Sequence, residues 1–375
     1  RFGFKSRGLG DVYKRQVFER SVRFMSAEEK TPYGPHDSPL QRAMRGEVFD
    51  QEACFVYTPA RPEGVYVSVC GSPLRDEWGK LLGGVLAIRD DTERRRSESE
   101  LREKTARLRE RAVEMELAAE VQKRFYPSVA PRVGGLDVAG AVRPADETCG
   151  DYYDFLELPD GSLLLAIGDV SGHGLGPALV MAETRAYVRS LARSGHSPRE
   201  ILDRVNAQLA SDLADDLFVT MLLMRISSDG SMLAFASAGH TPALLFSRDG
   251  TLKREMIRSG PPLGVVEDCT YRMEQGIPFD ENDVLVLMTD GVTEASSTEN
   301  EEEHFEEDGV AAVVADTCHR NAAGILRAID DALLGFAGEG SYRDDVTLVL
   351  CKRNGGSLVR SRRRHRSLET TWTDA

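Results

Sequence analysis

Leu163-Leu164-Leu165-Ala166-Ile167-Gly168-Asp169-Val170-Ser171-Gly172-His173-Gly174 joins an apolar run to a carboxylate and then to a turn of small residues. A short apolar run bounded by glycine reads as a buried strand. The pattern recurs downstream. Val284-Leu285-Val286-Leu287-Met288-Thr289 runs into Asp290-Gly291, and Asp344-Asp345 leads into Val346-Thr347-Leu348-Val349-Leu350. A fourth acid, Asp151, lies in Cys149-Gly150-Asp151-Tyr152-Tyr153-Asp154. Bare carboxylates at the ends of buried strands lose hydration and repel one another, which drives their pKa values up. A shared divalent cation removes that conflict, and hard oxygen ligands suit Mg²⁺ or Mn²⁺. The pattern therefore reads as a metal-dependent enzyme.

The 375 residues suffice for two or three domains, and 41% are hydrophobic, as in an ordinary globular core. Lys and Arg number 47 against 61 Asp and Glu, a net charge of -14. That balance argues against nucleic-acid and anionic-membrane binding. The six cysteines are scattered, with no Cys-x-x-Cys, so neither a zinc ribbon nor a redox pair is indicated. A reduced, cytoplasmic setting is expected. No apolar run reaches the ~18 residues of a membrane span.

Asp11-Val12-Tyr13-Lys14-Arg15-Gln16 back-translates to GAT GTG TAT AAG AGA CAG, the end sequence used in transposon-based library preparation. Residues 1–16 are therefore expected to be a sequencing scar on a chain truncated at its N-terminus; a basic N-terminal arm is the alternative. Residues 17–92 read as α+β. Val65-Tyr66-Val67-Ser68-Val69-Cys70 and residues 82–88 are strand-like, joined by a hairpin connection over 73–80. With the exit Asp90-Asp91-Thr92, this segment resembles the C-terminal half of a PAS sensor domain; an unrelated β meander is the rival.

Residues 93–130 form the next segment. From Glu93 to Tyr126 the chain is rich in Glu, Arg, Leu and Ala, without Gly or Pro. That composition predicts a long helix. Leu101, Leu108 and Met115 repeat every seven residues, with Thr105, Ala112 and Ala119 in the alternate seam, and Leu117, Val121 and Phe125 form a shifted stripe. A parallel two-stranded coiled coil with a weak seam fits, and it implies a homodimer through 93–126. A single amphipathic helix packed on the next domain is the other reading.

Residues 131–353 form the main domain. Ser197-Pro198-Arg199-Glu200 is a capping box with proline at the first helical position. Strands are predicted over 218–226, 232–237, 243–247 and 284–288, and helices over 309–318 and 322–334. Short turns such as Ser228-Asp229-Gly230 imply largely antiparallel sheets. Residues 354–375 carry Arg360, Arg362, Arg363, Arg364 and Arg366 and read as a basic disordered tail.

Gly150-Asp151-Tyr152-Tyr153-Asp154, the Gly168-to-Gly174 stretch, Ser237-Ala238-Gly239-His240-Thr241-Pro242, Pro262-Leu263-Gly264, Thr289-Asp290-Gly291-Val292-Thr293-Glu294 and Asp344-Asp345-Val346-Thr347 occur in that order. Together they closely resemble the PPM (protein phosphatase 2C) superfamily, bacterial SpoIIE/RsbU type, over the main domain. Each motif is weak alone. The resemblance implies an αββα sandwich, an α+β fold, with two Mn²⁺ or Mg²⁺ ions in a cleft at one edge. It implies that Asp169 bridges the ions, that the Val170 carbonyl and Asp151 help hold them, and that Asp290 and Asp344 hold the second. Asp345 is expected nearby, acting through water. Two such cations ~3.5–4 Å apart acidify a bridging water that attacks phosphorus in line.

His173 follows Asp169 at a longer spacing than the histidine of eukaryotic relatives; it either protonates the leaving group or orders its loop. His240 is expected to shape the cleft. Arg143 either clamps substrate phosphate or pairs with an acid. Asp154 either joins the site or caps local backbone.

The resemblance implies a serine/threonine phosphoprotein phosphatase whose substrate is a phosphorylated anti-anti-sigma (STAS) protein, regulated by the N-terminal segment through the helix. The rival is a catalytically silent phosphoprotein-binding module. A histidine kinase is disfavoured because no histidine lies between His36 and His173. A two-metal nuclease is disfavoured by the net charge.

Overall fold

The computed structural model describes residues 22–355, except 29, 35, 60, 132, 214–216, 301 and 339–341. The expected scar at 1–16 and almost all of the basic tail lie outside the described residues. The chain divides into two compact units, Arg1–Arg111 and Ala112–Ala375. The division falls inside the long helix, whose last turn is bonded, through Gln122, to Cys149 of the second unit.

The first unit comprises β1 (Arg23–Ser26), α1 (Pro39–Met44), β2 (Phe49–Thr58), β3 (Arg61–Arg75) and β4 (Leu81–Asp90). The strands form one antiparallel sheet in sequence order. The β3–β4 turn is held by Asp76, whose Oδ1 accepts from the backbone of Trp78 (3.0 Å) and Lys80 (2.8 Å). One sheet face buries Cys54, Val56, Val65, Val67 and Val69. Helix α2 (Thr92–Lys123) begins where Thr92 Oγ1 accepts from Tyr66 N at 3.1 Å. Of its seam residues Leu101 and Leu108 stay exposed and Met115 is half-buried, while Leu117 of the shifted stripe is exposed.

The second unit contains β5 (Leu136–Arg143), β6 (Tyr152–Glu157), β7 (Leu163–Val170), α3 (Leu175–Arg193), α4 (Pro198–Asp212), β8 (Val219–Ile226), β9 (Met232–Ala238), β10 (Ala243–Phe246), β11 (Leu252–Met256), β12 (Glu274–Pro278), β13 (Val284–Met288), α5 (Asp290–Thr293), α6 (Glu306–Thr317), α7 (Ala322–Ala337) and β14 (Val346–Arg353). Two five-stranded sheets form, ordered β11-β10-β13-β14-β5 and β12-β9-β8-β7-β6. Each ladder is antiparallel. The helices α3 and α4 cover the second sheet, and α7 covers the first.

Period-two alternation explains the layering. Leu285, Leu287, Val349 and Cys351 point into the core between the sheets. Their neighbours Val284, Val286, Met288, Val346, Leu348 and Leu350 point out to the core under α6 and α7. A strand buried on both faces reads as a nearly continuous apolar run, which is why β13 carries no polar position and β14 only Thr347 before its final Lys352-Arg353. The result is the αββα sandwich expected from the sequence. The capping box at α4 also forms: Ser197 Oγ accepts from Glu200 N, and Glu200 accepts from Ser197 N at 2.8 Å.

Among the described residues, no helix is long and apolar enough to cross a membrane.

Candidate active site

Antiparallel pairing brings the acidic strand ends to one edge. Asp169 is the penultimate residue of β7, and Asp151 directly precedes β6, its antiparallel neighbour. In the other sheet Asp290 follows β13, while Asp344 and Asp345 precede β14, again an antiparallel pair. Chain ends of opposite sense on neighbouring antiparallel strands lie side by side.

The electrostatics show the convergence. Burial pushes the Asp169 carboxyl up to about 7, helped by the charges of Asp290, Asp344 and Asp345. Burial also raises Asp151 well above the ordinary carboxylate range, with Asp169 and Asp345 adding to it. Asp290 is raised by burial and then by Asp344. Asp151, Asp169 and Asp290 are thus costlier to ionise than free carboxylates.

Two glycines permit the approach. A Cβ on Gly150 would lie 2.8 Å from the Val170 carbonyl oxygen, 3.5 Å from Asp169 Oδ1 and 3.6 Å from the Gly172 carbonyl oxygen. The space a side chain would fill is therefore lined by oxygens. A Cβ on Gly291 would lie 2.0 Å from the Asp345 carbonyl oxygen, so only glycine lets the segment after Asp290 close on β14. Among the described residues no three His, Cys, Asp or Glu side chains form a ready-made group able to hold an ion. The donor set itself, carboxylates and backbone carbonyls, fits a hard divalent cation.

Apart from Asp345, the side chains bracing this edge are ones the sequence did not single out. Asp345 accepts from Gly150 N (2.7 Å) and Ala145 N (2.8 Å), so it pins the loop that carries Asp151. Thr289 is fully buried and its hydroxyl donates to Asp151 Oδ2 at 2.8 Å. The Gln122 side chain pairs with the backbone of Cys149, Nε2 donating to its carbonyl (2.5 Å) and Oε1 accepting from its N–H (3.0 Å). The Tyr126 hydroxyl donates to the Asp151 carbonyl at 2.9 Å, and its ring stacks on Tyr153 at 5.5 Å.

Of the other expected site residues, Asp154 and Arg143 are engaged elsewhere. Asp154 points the other way along β6: Arg189 of α3 pairs with it at 3.1 Å and the Tyr152 hydroxyl donates to it at 3.0 Å. The physical reason is strand alternation, which sends Asp154 and Tyr152 to the α3 face. Arg143 is engaged by Asp330 at 3.0 Å and lies over the Tyr342 ring, so the acid-paired alternative describes it and the phosphate clamp does not. His240 is buried; Nδ1 bonds Thr220 Oγ1 at 2.8 Å, and Thr220 lies directly across from Asp169. Burial holds its pKa down to about 3, so the ring is neutral. His173 is 88% exposed, and its Nδ1 lies 3.0 Å from Asp146 Oδ2.

A two-sheet sandwich flanked by helices, with aspartates gathered at one edge, defines a PP2C-type phosphatase domain. Residues 159–354 match the family model described as stage II sporulation protein E (SpoIIE). The chain belongs to that family. It is 30% identical over 244 residues to phosphoserine phosphatase RsbU of Bacillus subtilis, covering 64% of this chain and 70% of that one. Among solved structures, the RsbU and RsbW domains of Rv1364c from Mycobacterium tuberculosis match with TM-score 0.53 and 25% identity, covering 62% of this chain and 64% of that one. The SiaA-PP2C domain of Pseudomonas aeruginosa matches with TM-score 0.59 and 23% identity, covering 67% of this chain and 99% of that one, a likeness of fold.

Proposed function

We propose that this chain is a Mn²⁺- or Mg²⁺-dependent phosphatase that hydrolyses phosphoserine or phosphothreonine on a regulatory protein. The observation that carries the reading is the convergence of Asp151, Asp169, Asp290 and Asp344 from four strand ends onto an oxygen-lined edge. Asp151, Asp169, Asp290, Asp344 and the Val170 carbonyl would hold two divalent cations. Such ions acidify water and neutralise charge growing on the phosphoryl oxygens. Asp345 keeps the Asp151 loop in place during turnover. His173, held by Asp146 through Nδ1, keeps Nε2 available to give a proton to the departing serine oxygen.

The likeness to phosphoserine phosphatase RsbU supports a phosphorylated anti-anti-sigma (STAS) protein as substrate. Control by the N-terminal unit is supported by the grip of Gln122 and Tyr126 on the loop bearing Asp151. Arg185 of α3 extends the grip, donating to the Phe125 carbonyl at 2.9 Å. A change in α2 is thereby transmitted to the carboxylate edge. The exposed seam of α2 supports a homodimer through 93–126.

The test is hydrolysis of a phosphoserine peptide with Mn²⁺, with EDTA, and by the Asp169→Asn variant. Turnover only in wild type with Mn²⁺ is expected. Full turnover in EDTA or in the variant would refute the reading, and binding of phosphoprotein without hydrolysis would favour the silent module.

A further inference from the structure

Thr289 sits where three acid-bearing segments meet. It directly precedes Asp290 in the chain. Its hydroxyl donates to Asp151 Oδ2 at 2.8 Å and accepts from Thr347 N at 3.0 Å, in the strand that Asp344 and Asp345 lead into. Its own N–H donates to the Thr347 carbonyl at 3.1 Å. The side chain is wholly buried, so water cannot take over these bonds.

A hydroxyl has one proton and two lone pairs. The Thr347 N–H occupies the accepting side. The proton is left with Asp151 Oδ2 at 2.8 Å or the Asp345 carbonyl at 3.5 Å, and the shorter contact wins. The polarity of the hydroxyl is thus fixed by backbone, and it always presents a donor to one oxygen of Asp151. That restrains the rotation of the carboxylate and leaves its other oxygen free of this hydroxyl.

We infer that Thr289 is a positioning residue that aims the Asp151 carboxylate at the cation site and locks it to the Asp290 and Asp344 segments through a single hydroxyl. The inference rests on the metal-dependent reading above. An outer partner of a ligating carboxylate affects affinity without touching the ion. Valine at 289 would keep the shape and lose the hydroxyl; serine would keep the hydroxyl and lose a methyl.

The test is calorimetric titration of the metal-free full chain with MnCl₂, for wild type, Thr289→Val and Thr289→Ser. Thr289→Val is expected to lose about ten- to a hundredfold in Mn²⁺ affinity, while Thr289→Ser stays within about threefold of wild type. Thr289→Ala, which makes no steric demand, replaces the valine variant if that one does not fold. Wild-type affinity in the valine or alanine variant would overturn the inference, as would a serine variant as weak as valine. Absence of Mn²⁺ binding by wild type would instead overturn the metal-dependent reading itself.

Discussion

Asp345 holds Gly150: a carboxylate oxygen accepts the Gly150 N–H at 2.7 Å, across 195 positions of sequence. The other oxygen accepts Ala145 N–H at 2.8 Å. One side chain at the head of β14 therefore ties down both ends of the loop that delivers Asp151. In Asp345→Asn the amide keeps one acceptor and turns a donor toward the second N–H. One buried N–H loses its partner, which costs about 1–3 kcal/mol. Chemical unfolding with Mn²⁺ present should show that loss, and turnover should fall at least about tenfold as the Asp151 loop loosens. Unchanged stability and rate would show that the loop does not depend on Asp345.

The acid edge predicts an inverted pH response in the metal-free protein. The Asp169 carboxyl rises from 3.8 to about 7 on folding. Between those values the folded state holds more protons than the unfolded chain. Stability from this group is present at low pH, falls as pH rises through the window, and levels off above about 7. The full swing is on the order of 4 kcal/mol as an upper bound, because neighbouring acids share protons. Asp151, Asp290 and Asp345 are raised too and act with the same sign. Urea unfolding in EDTA should give lower stability at about pH 8 than at about pH 5, with a smaller difference in Asp169→Asn. A wild-type protein that is more stable at the higher pH would contradict this.

Much of this edge was legible in the sequence because its ingredients are local. Apolar runs of strand length that lead into an aspartate or follow Asp-Asp gave β7, β13 and β14 with their acids. What was not legible depends on contacts between distant residues. Nothing local marks Gln122 as the partner of Cys149, or Thr289 as the partner of Asp151, 138 positions away. Helix α3 was also missed: its N-cap is Gly174, without a side-chain cap, and Gly176 and Pro177 open it like a loop. Asp154, left open between the site and a backbone cap, takes the cap: its Oδ1 accepts from Phe155 N at 2.9 Å. It sits three residues from Asp151, and strand alternation sends it toward Arg189 instead.

The linker makes a coupling prediction. Leu108→Pro breaks α2 at a cost of about 3 kcal/mol or more and should alter turnover while leaving every aspartate in place. Gln122→Ala removes both bonds to Cys149. If the helix acts through that contact, adding Leu108→Pro to Gln122→Ala should change the rate little further. A double-mutant cycle measures this, and strictly additive effects would break the proposed connection.

His173 should matter most when the leaving group needs a proton. His173→Gln is expected to slow phosphoserine peptide hydrolysis about a hundredfold. Turnover of p-nitrophenyl phosphate, whose leaving group departs as a stable anion, should fall far less. Equal losses on both substrates would assign His173 and its Asp146 contact to loop structure alone.

Catalysis by this chain depends on cations gathering at the edge formed by Asp151, Asp169, Asp290 and Asp344. Anomalous diffraction at the manganese edge, from crystals grown with MnCl₂, locates such ions directly. Peaks between these four carboxylates, lost in Asp169→Asn, are the expected result. Catalytically active crystals with manganese bound elsewhere, or with none at this edge, would contradict it.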